Sequence, residues 1–313
     1  GDGDMDLLSA SQNDDKIAWY ENDGSENFTE HVISTSADGA WSVYAADVDA
    51  DGDMDVLSAS YYDDKIAWYE NDGSENFTEH VISTSADGPL SVHVADVDAD
   101  GDMDVLSASY FDDKIAWYEN DGGESFTDHV ISTSADIAWS VYAADVDADG
   151  DMDVLSASAD DNKIAWYEND GSENFTDHVI STLADGPVSV HVADVDADGD
   201  MDVLSASYFD DKIAWYENDG SESFTEHVIS TSADGPYSVY AVDVDADGDM
   251  DVLSASMDDD KITWYEQDGS PPFQPQTKEE LQTALDLWVD DNASALATYG
   301  GINTWDVSLI TDM

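Results

Sequence analysis

The chain has no cysteine and no arginine, and only seven basic residues face 75 acidic ones across 313 positions. Each shortage excludes something. Without cysteine no disulfide can staple the fold, which fits a surface protein held by metal instead. Without a basic stripe nothing neutralises phosphates, so nucleic acid is excluded as a partner. An anionic membrane surface would repel the chain for the same reason. No apolar run is long enough to cross a bilayer, so direct membrane insertion is not expected. No secretory leader is visible either. The chain opens inside an acidic loop and lacks an initiator methionine, so it reads as a piece of a longer protein and the missing leader is uninformative.

The formal net charge is −68. Charge of this size with low hydrophobicity can leave a chain disordered. Ten Trp, fifteen Tyr and recurrent Val, Ile and Leu runs argue for a core instead. Self-repulsion then has to be met by an ion-rich medium or by bound cations.

What the chain does have is a repeat. Asp-Val-Asp-Ala-Asp-Gly-Asp-Met-Asp occurs five times, starting at Asp47, Asp96, Asp145, Asp194 and Asp243, each 49 residues after the last. A sixth copy, truncated at the front, supplies Asp2, Asp4 and Asp6. Between copies the text reads as four short strands divided by turn residues. In the third unit these are residues 91–96, 104–109, 114–119 and 126–131. Four strands in a period of 40–50 residues predict a blade of a β-propeller. Strands that are apolar or small on both faces fit blades stacked face to face. A β-solenoid usually has shorter repeats without four strands.

The expected fold is therefore all-β: a propeller of four-stranded antiparallel blades, about six visible and the outer two incomplete, with a short helical tail. The propeller is placed at residues 1–269 and a Pro-rich linker at 270–276. The tail, 277–313, begins with the capping box Thr277-Lys-Glu-Glu280 and a helix over about 278–296. The first inner-strand residues alternate Trp41-Ser-Val-Tyr44, Leu90-Ser-Val-His93, Trp139-Ser-Val-Tyr142, Val188-Ser-Val-His191 and Tyr237-Ser-Val-Tyr240. Such alternation points to duplication of a two-blade unit and favours an even number of blades.

The acidic loops are candidate cation sites. In the second full copy Asp96, Asp98 and Asp100 hold positions 1, 3 and 5, Gly101 permits a sharp turn, and Asp104 at position 9 can close the shell. Hard oxygen donors at this density select Ca²⁺ over softer metals. Left without a cation, clustered carboxylates at 4–6 Å spacing, a rough range, would repel strongly. The opening looks like an EF-hand, but position 12 is Ser107 and no helices flank the loop.

D-x-D-x-D-G-D-x-D followed by a strand, in tandem blades, resembles the FG-GAP/VCBS repeats, related to the integrin α-subunit propeller. The resemblance covers roughly residues 1–268. It implies that side chains at positions 1, 3, 5 and 9 bind Ca²⁺ and that position 7 contributes its backbone carbonyl. Carried over, the ligand set is Asp47, Asp49, Asp51 and Asp55 with Asp53 through its carbonyl. The next copies give Asp96, Asp98, Asp100, Asp102 and Asp104, then Asp145, Asp147, Asp149, Asp151 and Asp153. Asp194, Asp196, Asp198, Asp200 and Asp202 follow, and last come Asp243, Asp245, Asp247, Asp249 and Asp251. Trp305-Asp-Val-Ser-Leu-Ile-Thr-Asp-Met313 resembles one unit of the BspA-like bacterial surface repeats. Both resemblances imply an extracellular or cell-surface protein engaged in adhesion.

Lysines in the Asp-Asp-Lys turns, such as Lys65, read as turn contacts. The histidines recurring in outer strands, such as His80, read as packing elements rather than catalysts or zinc ligands. Asn27, Asn76 and Asn174 match the glycosylation pattern. The repeats disagree most in two turns. One reads Gln12-Asn13, Tyr61-Tyr62, Tyr110-Phe111, Ala159-Asp160, Tyr208-Phe209 and Met257-Asp258, and the other carries Trp41, Leu90, Trp139, Val188 and Tyr237. In an up-and-down blade both lie on the face opposite the acidic loops. Rings exposed there are costly unless they bind something or pad neighbouring blades. Trp41, Tyr61, Tyr62, Tyr110, Phe111, Trp139, Tyr208, Phe209 and Tyr237 are the candidate ligand-binding residues.

No nucleophile–base, paired-carboxylate or cofactor constellation stands out from the repeated background, so catalysis is not expected. The leading expectation is a calcium-stabilised surface module that binds a protein or glycan through the aromatic turns. A lectin with sugar stacked on Trp or Tyr is the second reading, and an accessory propeller of a larger secreted enzyme the third. The sequence does not fix the oligomeric state.

Overall fold

The computed structural model describes residues 3–123, 125–267, 275 and 277–290. It contains 22 strands in six antiparallel sheets. Blade 1 comprises Leu7–Ser11, Lys16–Asn22 and Phe28–Ser34. Blade 2 has its inner strand at Ala40–Ala46, then Asp55–Ser60, Lys65–Asn71 and the outer strand Phe77–Ser83. Blade 3 runs Pro89–Ala95, Asp104–Ser109, Lys114–Asn120 and Phe126–Ser132. Blade 4 runs Ala138–Ala144, Asp153–Ser158, Lys163–Asn169 and Phe175–Ser181. Blade 5 runs Pro187–Ala193, Asp202–Ser207, Lys212–Asn218 and Phe224–Ser230. Blade 6 has Pro236–Val242, Asp251–Ser256 and Lys261–Tyr265. The fold is a six-bladed β-propeller, with four blades complete and the two end blades three-stranded among the described residues.

Blades stack because each middle strand is apolar on both sides. Leu57 and Trp68 leave one face of blade 2 and meet Val105 and Tyr118 from the facing side of blade 3. The same set recurs between blades 4 and 5 as Leu155 and Trp166 against Val203 and Tyr216. Polar bonds fix the stacking. Ser42 Oγ accepts the Val92 N–H at 3.2 Å, and Ser91, Ser140 and Ser189 repeat the bond one blade on each time. Asn120 donates Nδ2 to Val48 O at 3.1 Å, reaching the acidic loop of the preceding blade.

The lysines and histidines serve the blades. Lys65 Nζ lies 3.2 Å from Asp63 and 2.9 Å from Glu79. His80 stacks on Trp68 with centroids 4.6 Å apart, and its Nε2 lies 2.8 Å from Glu70. Blade 6 lacks an outer strand among the described residues, and Trp264 is 44% exposed where Trp68, Trp117 and Trp166 are at most 1% exposed.

The helix spans Lys278–Asp290. Thr277 caps it by accepting the Glu280 N–H on Oγ1 at 3.2 Å, as the capping box predicts. The expected extension to 296, the BspA-like unit at 305–313 and all of the linker except Pro275 lie outside the described residues.

Candidate functional site

Strand direction sorts the connections onto two faces. The acidic loops join inner to second strands at one rim, which we term the loop face. The turns joining blades, and those between second and third strands, lie at the other rim, the turn face.

On the loop face, each full copy brings its first, third and ninth carboxylates together. Their ligand oxygens lie within 4.8 Å of one another in Asp47/Asp49/Asp55, Asp96/Asp98/Asp104, Asp145/Asp147/Asp153, Asp194/Asp196/Asp202 and Asp243/Asp245/Asp251. The loop closes because Ala50 and Gly52 adopt φ of 59° and 96°. Gly52 N–H then donates to Asp47 Oδ2 at 3.1 Å, and Asp51 N–H to Asp49 Oδ1 at 3.1 Å. Asp55 is fully buried and pinned by the N–H groups of Val48 (3.1 Å) and Asn71 (2.8 Å).

The other two carboxylates lie outside these triads. Position 5 (Asp51, Asp100, Asp149, Asp198, Asp247) is exposed and outside the triads. Asp51 Oδ1 accepts the Asp53 N–H at 2.9 Å. Position 7 lies against the next turn: a Cβ on Gly73, Gly122, Gly171 or Gly220 would strike the carboxylate of Asp53, Asp102, Asp151 or Asp200. In the first copy Asp4 and Asp6 repeat the seventh and ninth placements, with Asp6 Oδ1 accepting the Asn22 N–H at 2.8 Å. Asp2 lies outside the described residues.

The triads fit a hard cation. Asp47, Asp96, Asp145 and Asp194 each keep one buried Oδ1 without a hydrogen-bond partner, an arrangement that is costly unless a ligand fills it. Burial pushes Asp104 and Asp153 up to about 6 and Asp202 up to about 7, against the pull of the backbone N–H groups on each. Two like charges at this separation repel by about 3.5 kcal/mol at an effective dielectric of ~20. A divalent ion bound by oxygen would reverse the sign of that term.

The turn face carries all nine candidate aromatics, and they form one connected network. At the start of each inner strand the register skips one residue, a bulge at Trp41, Leu90, Trp139, Val188 and Tyr237. Bulges re-aim side chains, and here the large ones turn to the propeller axis. Trp41 meets Trp139 at 5.7 Å and Trp139 meets Tyr237 at 5.4 Å, joining blades 2, 4 and 6. Leu90 and Val188, the smaller residues, occupy blades 3 and 5. From this hub the rings run outward through Tyr61 (6.0 Å from Trp41), Tyr110 (6.1 Å from Trp139) and Tyr208 (5.9 Å from Tyr237). Beyond them Tyr62, Phe111 and Phe209 are 58–65% exposed. The last three lie over Gly39, Gly88 and Gly186, whose φ of 64–71° and missing Cβ leave the ring its seat.

Sequence reasoning missed a second axial tier. Tyr44, His93, Tyr142, His191 and Tyr240 follow one another around the axis at centroid distances of 4.4–4.9 Å. Burial holds His93 and His191 down at about 4, and for His93 the neighbouring His191 adds to this. The Tyr/His alternation was the available signal; only the stacking of consecutive blades around an axis places residues 49 apart side by side. Clefts of about 370 and 440 Å³ open beside Tyr44 and Tyr142 on the loop face, between blades 2 and 3 and blades 4 and 5, repeating with the two-blade period.

The combination defines a class: a propeller whose blades each carry an acidic loop after the inner strand. Residues 1–58, 47–107, 96–156, 145–205 and 194–254 match the FG-GAP-like repeat, and the chain belongs to that family. No curated protein matches the chain. Solved structures share the fold at low identity. A lectin of Agrocybe aegerita, described as recognising non-reducing terminal N-acetylglucosamine, is 17% identical with a TM-score of 0.55, over 80% of this chain and 74% of its own. A Lactobacillus plantarum protein is 14% identical with a TM-score of 0.58, over 88% and 86%. A putative 6-phosphogluconolactonase of Bacteroides uniformis is 13% identical with a TM-score of 0.57, over 84% and 77%. Among the described residues no helix is long and apolar enough to cross a membrane.

Proposed function

We propose that the chain is a non-catalytic binding module of an extracellular or cell-surface protein, stabilised by Ca²⁺ in its acidic loops and engaging a protein or glycan through its turn face. The observation that carries this reading is the nine-ring network, which reaches solvent at Tyr62, Phe111 and Phe209. Apolar rings held in solvent by a rigid scaffold are what an interaction surface requires. Asp at positions 1, 3 and 9 would hold the ion, with the position 7 carbonyl and the position 5 carboxylate completing an all-oxygen shell. Bound Ca²⁺ would supply the positive charge that the buried carboxylates lack.

Sugar binding is the second reading, favoured by the fold shared with the Agrocybe lectin. One experiment tests both: a glycan array and an array of extracellular proteins, probed in calcium with wild type and with Tyr62→Ser/Phe111→Ser/Phe209→Ser. The proposal expects hits that disappear with the three rings. Hits that survive their removal would place recognition elsewhere on the molecule.

A further inference from the structure

We propose that the two clefts on the loop face each take a methylated organic ammonium ion, at a small-molecule site that does not depend on the turn face. Both clefts are built alike. The first, of about 370 Å³, lies between the end of the inner strand of blade 2 and the acidic loop of blade 3. Its lining brings together the Tyr44 ring, the methyl groups of Ala46 and Val94, the Met103 thioether and the carboxylates of Asp47 and Asp102. The second, of about 440 Å³, repeats this set 98 positions on, with Tyr142, Asp200 and Met201 in the same places. His93 and His191 stand at 65° and 74° to the two rings, 4.8 and 4.9 Å away, and hold each ring at its cleft.

The charge in each cleft is unmatched. Asp102 and Asp200 are half-buried, stand outside the triads and accept no hydrogen bond from the described residues. No basic side chain lines either cleft. Partly buried carboxylates of this kind call for a cation. The rest of the lining is ring, methyl and thioether, which cannot replace the water held by a bare metal ion or a primary ammonium. A quaternary nitrogen answers both features at once. Its charge is spread over methyl groups that shed water readily, pack on Ala, Val and Met, and meet a tyrosine ring by cation–π attraction. A neutral sugar would set its hydroxyls against methyl groups and leave the carboxylates without a counter-charge. The net charge of −68 would also concentrate small cations around the chain.

The test titrates three probes that share one hydroxyethyl arm into the full chain, in calcium and 0.15 M NaCl, followed by saturation-transfer NMR. Choline carries a trimethylammonium head, ethanolamine a primary ammonium, and 3,3-dimethylbutan-1-ol the choline head with carbon in place of nitrogen. Three variants accompany wild type, each checked for unchanged calcium content and circular dichroism. Tyr44→Leu/Tyr142→Leu removes the rings, and Tyr44→Phe/Tyr142→Phe keeps them. Asp102→Asn/Asp200→Asn removes the free carboxylates, leaves the triads whole and carries the test alone if the Leu variant fails to fold. The expected result is saturable choline binding at two sites per chain, about tenfold tighter than either other probe. The Phe variant should keep it, and the Leu and Asn variants should lose it. Equal binding of choline and ethanolamine would mean diffuse attraction to the acidic surface. Equal binding of choline and the alcohol would mean a plain apolar recess. Either result, choline binding unchanged in the Leu and Asn variants, or no saturable binding would overturn the inference, and none of these outcomes bears on the turn face.

Discussion

The two faces of this propeller are built from the same repeat and treated differently. On the loop face the five full copies are identical over nine residues. On the turn face equivalent positions hold Trp, Leu, Val or Tyr on the inner strand, and Tyr-Tyr, Tyr-Phe, Ala-Asp or Met-Asp in the turn. A residue set copied without change carries what every blade needs: closure of a loop, a buried carboxylate, a bond to the next blade. Positions where copies diverge are free of that common duty. Their divergence nonetheless assembles one continuous ring network, because the axis brings blades 2, 4 and 6 together.

The sharpest way to break the comparison is inside the loop. Asp104 is fully buried and receives the N–H groups of Val97 and Asn120 at 2.9 and 2.8 Å. Asp104→Ala strands both donors and removes a proposed cation ligand, so it should cost about 4 kcal/mol in calcium. Asp100→Ala removes an exposed proposed ligand but strands no buried donor, so it should cost less, about 1–2 kcal/mol. Urea denaturation of the two variants checks this; equal losses would mean that the triad has no special standing.

The next effect is a pH dependence at the axis. His93 lies between Tyr44 and Tyr142, and His191 between Tyr142 and Tyr240. With folded values of about 4 against an ordinary 6.5, the unfolded chain binds protons in this window that the folded chain does not. The stability is complete above pH 6.5, declines as pH falls towards 4, and each histidine accounts for about 3 kcal/mol of the decline. Stability measured from pH 7 to 4 in saturating calcium should fall less steeply in His93→Phe/His191→Phe than in wild type. Parallel curves would contradict the axial assignment.

Much of this was legible in the sequence because the repeat is local. The strands Asp104–Ser109 and Lys114–Asn120 follow directly from hydrophobic runs between Asp-rich and Asn-Asp-Gly turns. The acidic loop is legible for the same reason, since nine consecutive residues fold onto themselves. Legibility ends where geometry is collective. Nothing local in Trp-Ser-Val-Tyr says that Trp41 sits in a bulge or that its neighbour is Trp139, 98 positions away. The division of the turn pairs into a half-buried first ring, such as Tyr61, and an exposed second ring, such as Tyr62, likewise depends on Gly39, which lies under the second ring alone.

The central claim is that the loop face holds the fold and the turn face does the binding. It is tested most directly by thermal melts of wild type and Tyr62→Ser/Phe111→Ser/Phe209→Ser, each with calcium and with EDTA. Binding to the folded state alone stabilises by about 2.7 kcal/mol per site at a hundredfold excess over Kd. Several sites together therefore approach a whole domain's stability of ~5–15 kcal/mol. The account predicts that EDTA lowers the Tm of both proteins sharply and by the same amount, while the triple variant in calcium melts within a few degrees of wild type. Coincident melts with and without calcium, or a triple variant that melts as low as the chelated wild type, would contradict it.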